Sequence, residues 1–160
     1  MDSIEIVGRV FYCEAGTSTS DWDAVAWAVY NRMKSTGRTA FSIVTNGDFS
    51  AFNNGSYMFS TSGWYNTTKF YRCIENSELL NNNEKPFAVV SYISNQKNFR
   101  SISTFLDKYS SDGYTQKFDG VEIKNVVIPG VGIIGADTRS INKLNYESCQ
   151  FNFYFDYYYE

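Results

Sequence analysis

Ser3-Ile4-Glu5-Ile6-Val7-Gly8-Arg9-Val10-Phe11-Tyr12-Cys13-Glu14-Ala15-Gly16 repeats apolar residues at helical spacing. Ile4, Val7, Val10 and Phe11 share one face at three- and four-residue steps, which predicts a helix over residues 3–14. Gly16 stops it, and Thr17-Ser18-Thr19-Ser20 follows as a polar loop. Glu14 falls on the same face as Val10 and Phe11. A carboxylate there is costly unless it is paired, protonated or able to reach water. Two readings follow. Desolvation holds its proton to higher pH, as a general acid requires. Or the last turn frays to water, or pairs Glu14 with Arg9 or Arg32.

Outward from this segment, a second helix is predicted from about Asp21 to Lys34. Ser20 serves as N-cap, Asp23 completes a capping box, and both Asp21 and Asp23 favour the positive end of the helix. Its apolar stripe is Trp22, Val25, Ala26, Val29 and Met33, and Gly37 closes it. A short piece over Ala40–Val44 precedes a long loop, Thr45–Tyr65, with turn signals at Asn46-Gly47 and Asn54-Gly55. Further helices are expected over Asn66–Asn81, from Pro86 to about Asn95, and over Ser101–Tyr109. The last third changes period. Residues 121–126 alternate as a strand does, and Phe151, Phe153 and Phe155 alternate with Asn152 and Tyr154, predicting a strand with one buried face. The fold class expected is α+β. It is mainly helical over the N-terminal two-thirds, with a small antiparallel sheet toward the C-terminus, in one domain of 160 residues. From about residue 112 the chain reads as a β-rich lobe.

Composition narrows the chemistry. The chain has no histidine. That removes Ser-His-Asp and Cys-His catalysis and the usual zinc and iron sites, and leaves carboxylate, tyrosine or lysine chemistry, or binding alone. Glycoside cleavage runs on carboxylates. A net charge of -3 without a basic run sets nucleic acid aside. No apolar run reaches the roughly 18–20 residues of a membrane helix. The acidic start, Met1-Asp2-Ser3-Ile4-Glu5, is not a signal peptide. The expectation is a protein that stays inside, leaves by a route without a cleaved signal, or has already lost a leader. Three cysteines (Cys13, Cys73, Cys149) are not a disulfide framework; one Cys73–Cys149 bridge competes with free buried thiols. No CxxC pair suggests a metal, and no cofactor is expected. Val131-Gly132-Ile133-Ile134-Gly135 lacks the residues of a phosphate loop. Aromatic richness fits either a sugar-stacking surface or an aromatic core, and Tyr157-Tyr158-Tyr159 either a carbohydrate platform or a strand end.

Three ordered segments, spanning roughly residues 7–55, carry a family resemblance. Arg9–Gly16 resembles the "AR-x-I-x-x-EA-x-G" segment of the SleB/CwlJ-type cell wall hydrolases. Asp23–Arg32 is similar to their "A-V-A-x-V-x-x-N-R" helix. Phe41-Ser42-Ile43-Val44, then Asp48-Phe49-Ser50-Ala51-Phe52, resembles their "F-P-x-x-I…QFS" stretch. The resemblance implies a lysozyme-like fold and Glu14 as catalytic acid. The bond cut is that between N-acetylmuramic acid and N-acetylglucosamine in peptidoglycan, by a lytic transglycosylase or muramidase. Two departures stand out. The family's Glu after the "EA-x-G" glycine is replaced by Thr17–Ser20, and its Gln before Phe-Ser by Asp48. Asp48 is a second catalytic candidate, activating a water or stabilising an oxocarbenium-like charge, unless it merely faces solvent in a turn. Asn31, Ser50, Phe52, Tyr57 and Trp64 are the candidate substrate-binding residues, with helix capping or loop packing as their ordinary alternatives. The implied place of action is the bacterial cell wall or periplasm, reached by phage lysis or a secretion machine, with an immunity or chaperone protein as partner of a delivered toxin. The competing classes are a non-catalytic glycan-binding module and a structural component of a phage or secretion apparatus.

Overall fold

Helix α2, Thr19–Thr36, is the axis around which the other elements pack. The computed structural model describes residues 1–16, 19–47, 49–59, 66–102, 104, 107, 117–118, 121–128, 132–134 and 152–157. From Asp21 to Tyr30 every residue of α2 is buried, not only the expected stripe. Ala24, Ala26 and Ala28 make this workable, because small side chains let neighbours approach on the remaining faces. The helix begins earlier than expected, so Ser20 lies inside it and is not the N-cap. Asp21 does lie in the first turn, as expected, but Asp23 completes no capping box with Ser20, its carboxylate going to Arg72 and Asn76 instead. Gly37, at φ 73°, ends the helix in the left-handed conformation, its N–H donating to Met33 O at 2.9 Å.

Helix α1, Ser3–Glu14, has the expected bounds. Asp2 caps it by accepting from Glu5 N at 2.8 Å, and Arg9 pairs with Glu5 one turn away at 2.9 Å. Helix α3, Ala40–Thr45, is capped by Thr39. The expected long loop is partly helical: α4, Ser50–Asn53, is followed by a 3₁₀ turn, Ser56–Phe59. Burial of Phe49 and Ala51 pulls that segment onto the core, and Gly55, at φ 77°, turns the chain between the two pieces. Helix α5, Thr67–Asn81, is capped by Asn66 and lies against α1.

The helix expected from Pro86 to Asn95 does not form. Residues 91–95 are turns. Trp27 Nε1 donates to Phe87 O at 2.9 Å, and Asn31 Nδ2 donates to Ser94 O and Gln96 O, both at 2.7 Å. Side chains of α2 thus claim the carbonyls, and a piece this short has little helical stability of its own to resist them. In the segment expected to be helical at residues 101–109, Ser101 instead ends a strand, and the described residues Ile102, Thr104 and Asp107 are helical.

The sheet is antiparallel throughout. Its strands are β1 (Asn98–Ser101), β2 (Lys117–Phe118), β3 (Val121–Ile128), β4 (Gly132–Ile134) and β5 (Asn152–Tyr157), in the order β1-β5-β3-β2 with β4 also on β3. The C-terminal strand departs from the expected pattern, since Asn152, Phe153, Tyr154 and Phe155 are all buried. Both faces are covered. Phe99, Tyr154 and Val127 form a row across β1, β5 and β3 that joins the helical core. Phe153 and Phe155 point the other way along the pleat. Cys73 is a free buried thiol, so it takes no part in a bridge, and Cys149 lies outside the described residues. Among the described residues no helix is long and apolar enough to cross a membrane.

Candidate active site

Glu14 closes α1 and lines a cleft of about 420 Å³ between the helices and the first strand of the sheet. The apolar part of the wall is Phe49 and Phe99, whose rings meet edge to face at 5.8 Å. The polar part comes from Arg32, Ser50, Arg100 and Asn152, with Cys13 beside Glu14. Glu14 is the one carboxylate among the described residues of the cleft wall.

Among the described residues, one oxygen of its carboxylate takes both hydrogen bonds. Ala51 N–H donates to Glu14 Oε1 at 2.9 Å and Ser50 Oγ donates to the same oxygen at 3.3 Å. Glu14 forms no ion pair among the described residues. Burial raises the Glu14 carboxyl above its ordinary value. The Ala51 and Ser50 hydrogen bonds and the charge of Arg100 act against that rise without cancelling it. The last turn of α1 is not frayed: Ala15 N donates to Phe11 O at 3.0 Å. The carboxyl therefore keeps its proton to higher pH than a free glutamate, on the wall of a half-apolar cleft. Burial also raises the Cys13 thiol, against a hydrogen bond with Ser56, so it stays protonated.

Of the residues singled out in the sequence, Glu14 and Ser50 come together. Arg32 also reaches the cleft, but its Nε donates to Lys97 O at 2.6 Å and its guanidinium lies 5.5 Å over the Phe49 ring, so it braces the wall. Asn31 is not in the cleft; both of its described donor contacts hold the 94–96 turn. Phe52 and Tyr57 stack on each other at 5.1 Å against the core, and neither lines the cleft. Asp48, Trp64 and Tyr158-Tyr159 lie outside the described residues.

The sequence reading missed Arg100 and Asn152. Strand β1 fell between two expected helices, and its alternation over four residues is too short to announce a strand. Asn152 gave one signal, a polar residue on the supposed outer face of an aromatic strand. It is buried, and its Nδ2 donates to Glu14 O at 2.9 Å. A second carboxylate, Asp21, lies behind the cleft wall, fully buried and away from the cleft surface. No cluster of three or more His, Cys, Asp or Glu among the described residues is placed to hold a metal ion.

Comparison of the chain with family models, with curated proteins and with solved structures finds no match.

Proposed function

We propose that the protein cleaves the glycan strands of peptidoglycan between N-acetylmuramic acid and N-acetylglucosamine, with a lysozyme-like arrangement and Glu14 as its acid. The observation that carries this reading is a carboxylate, raised by burial and alone among the described residues of the wall, in a half-apolar cleft. The segments that resemble the cell wall hydrolases supply Glu14, Arg32, Phe49 and Ser50 to that wall.

One carboxylate suits a lytic transglycosylase. Glu14 gives its proton to the glycosidic oxygen as the bond to the anomeric carbon breaks. The 6-hydroxyl oxygen of the same muramyl residue then bonds to that carbon, and its proton passes to the Glu14 carboxylate. The acid is restored, no water is consumed, and the product is a 1,6-anhydro sugar. Ser50 and Ala51 bind the oxygen of the charged form, so they steady the carboxylate between its two duties. In a hydrolytic outcome water takes the place of the 6-hydroxyl, and Asp48 is the residue proposed to activate it or to stabilise the oxocarbenium-like charge.

Acting on this substrate places the protein at the bacterial cell wall, with an immunity or chaperone protein as the further partner of a delivered toxin. The test is release of soluble fragments from purified sacculi. Glu14→Gln should slow release by about a hundredfold or more, the usual scale of losing a general acid, while thermal unfolding stays close to that of the wild type. Equal release by Glu14→Gln would refute the assignment. Binding of sacculi without release by either protein would instead indicate the glycan-binding module.

A further inference from the structure

We infer that Asp21, with Asn152 and Tyr154 of the C-terminal strand, is a clamp that positions Glu14 through the main chain. The inference rests on the peptidoglycan reading only for what Glu14 does, not for how it is held.

The chain leaves α1 in an extended conformation, with Ala15 at φ -82° and ψ 146°. No glycine cap folds back on the helix end, so its last carbonyls need other donors. The carbonyls of Glu14, Ala15 and Gly16, at and just past the helix end, each accept from a side chain of a different element. Asn152 Nδ2 of β5 donates to Glu14 O at 2.9 Å. Lys69 Nζ of α5 donates to Ala15 O at 2.7 Å. Trp22 Nε1 of α2 donates to Gly16 O at 2.9 Å. Gly16 N–H in turn donates to Asp21 Oδ2 at 2.6 Å.

Asp21 gathers these threads. Its Oδ2 also accepts from Asn152 Nδ2 at 3.3 Å, and its Oδ1 accepts from Tyr154 Oη at 2.6 Å. The carboxylate is 0% exposed and absent from the cleft wall, so it cannot touch a substrate there. Burying such a group is unfavourable unless every oxygen is met, and here both are. Its effect reaches Glu14 along one side chain, Asn152, and two peptide units. The geometry at stake is narrow, because Glu14 Oε1 must stay against Ala51 N, and a misplacement of about 1 Å at a reacting group costs on the order of a hundredfold in rate.

The test uses the full chain carrying Asp21→Ala, Asp21→Asn or Asn152→Ala. Two readouts are taken: titration of the carbon-13-labelled Glu14 carboxyl by NMR, and kcat and KM for release of fragments from sacculi. Asp21→Ala and Asn152→Ala should bring Glu14 back toward the ordinary glutamate value. They should also lower kcat about ten- to a hundredfold with KM little changed, as expected for misaligned chemistry. Asp21→Asn should restore both readouts. Its amide oxygen accepts from Gly16 N–H and Asn152, and its NH₂ donates to Tyr154 Oη.

Should Asp21→Ala fail to fold, Asn152→Ala carries the test, since Asp21 then keeps its Gly16 and Tyr154 donors. Folded Asp21→Ala and Asn152→Ala proteins whose Glu14 titrates as in the wild type would overturn the clamp. So would an Asp21→Asn protein as impaired as Asp21→Ala. A wild type inert on sacculi, with the Glu14 titration still moving across the variants, would uphold the clamp and overturn the substrate.

Discussion

Glu14 and Asp21 are both carboxylates raised by burial, yet only one reaches the cleft, and the two respond to different tests. Ser50 gives Glu14 a hydrogen bond that favours its charged form. Ser50→Ala should therefore push the Glu14 carboxyl further up and move the basic limb of the kcat/KM profile to higher pH. A limb that stays or moves down would show that Ser50 does not act on the ionised form. Asp21 is raised from 3.8 to about 6, chiefly by desolvation. The folded state then holds this proton more tightly than the unfolded chain. Its contribution to stability is full below pH 4 and is lost as pH rises through 6. The ceiling is on the order of 3 kcal/mol, two pKa units at roughly 1.4 kcal/mol each. Asp21→Asn removes the titration and keeps the hydrogen bonds. Its stability by urea unfolding, relative to the wild type, should improve between pH 4 and pH 7. An equal difference at both pH values would mean that Asp21 is not raised. Of the groups that face Asp21, burial raises Tyr154 above its ordinary value and lowers Lys69, and Asn152 does not titrate.

At the scale of elements, the contact of α1 with α5 depends on Gly8. A Cβ there would lie 2.5 Å from Ile74 Cδ1 and 3.1 Å from Ile74 Cα. Alanine gains roughly 1 kcal/mol in helix propensity. Overpacking costs about 1–3 kcal/mol, and the nearby Cα belongs to backbone that cannot rotate away. Gly8→Ala should therefore be destabilising by up to about 2 kcal/mol in denaturant unfolding. A stabilised Gly8→Ala protein would show that the two helices separate freely. The same elements show what sequence reveals. Helices α1 and α5 were readable because apolar spacing is local to the segment. The false helix after Pro86 was a misreading of another kind. Its carbonyls are bound by Trp27 and Asn31, residues 60 or more positions away, and local propensity carries no record of such partners. The capping box expected of Ser20 and Asp23 failed for the same reason. Asp23 instead meets Arg72 at 2.9 Å and Asn76 at 2.9 Å, partners on α5.

At the scale of the whole molecule, the cleft is a junction. Helices α1 and α4 bring Glu14 and Ser50 together, and the sheet supplies Arg100 from β1 and Asn152 from the far end of the chain. The hydrogen bond from Asn152 to Glu14 spans 138 positions. Half of the candidate site was therefore legible: Glu14 from its carboxylate on an apolar face, Ser50 from the segment beside it. The strand half was not, because its polar residues gain their meaning only when β5 inserts between β1 and β3. The central claim is that Glu14 is the acid that cleaves glycan strands, with the 6-hydroxyl of the muramyl residue as the attacking group. Mass spectrometry of the muropeptides released from purified sacculi by wild type and by Glu14→Gln tests it most directly. The account predicts 1,6-anhydro products, lighter by one water than their reducing-end counterparts, from the wild type and none from Glu14→Gln. No release by the wild type, where a control lysozyme dissolves the same sacculi, would contradict it.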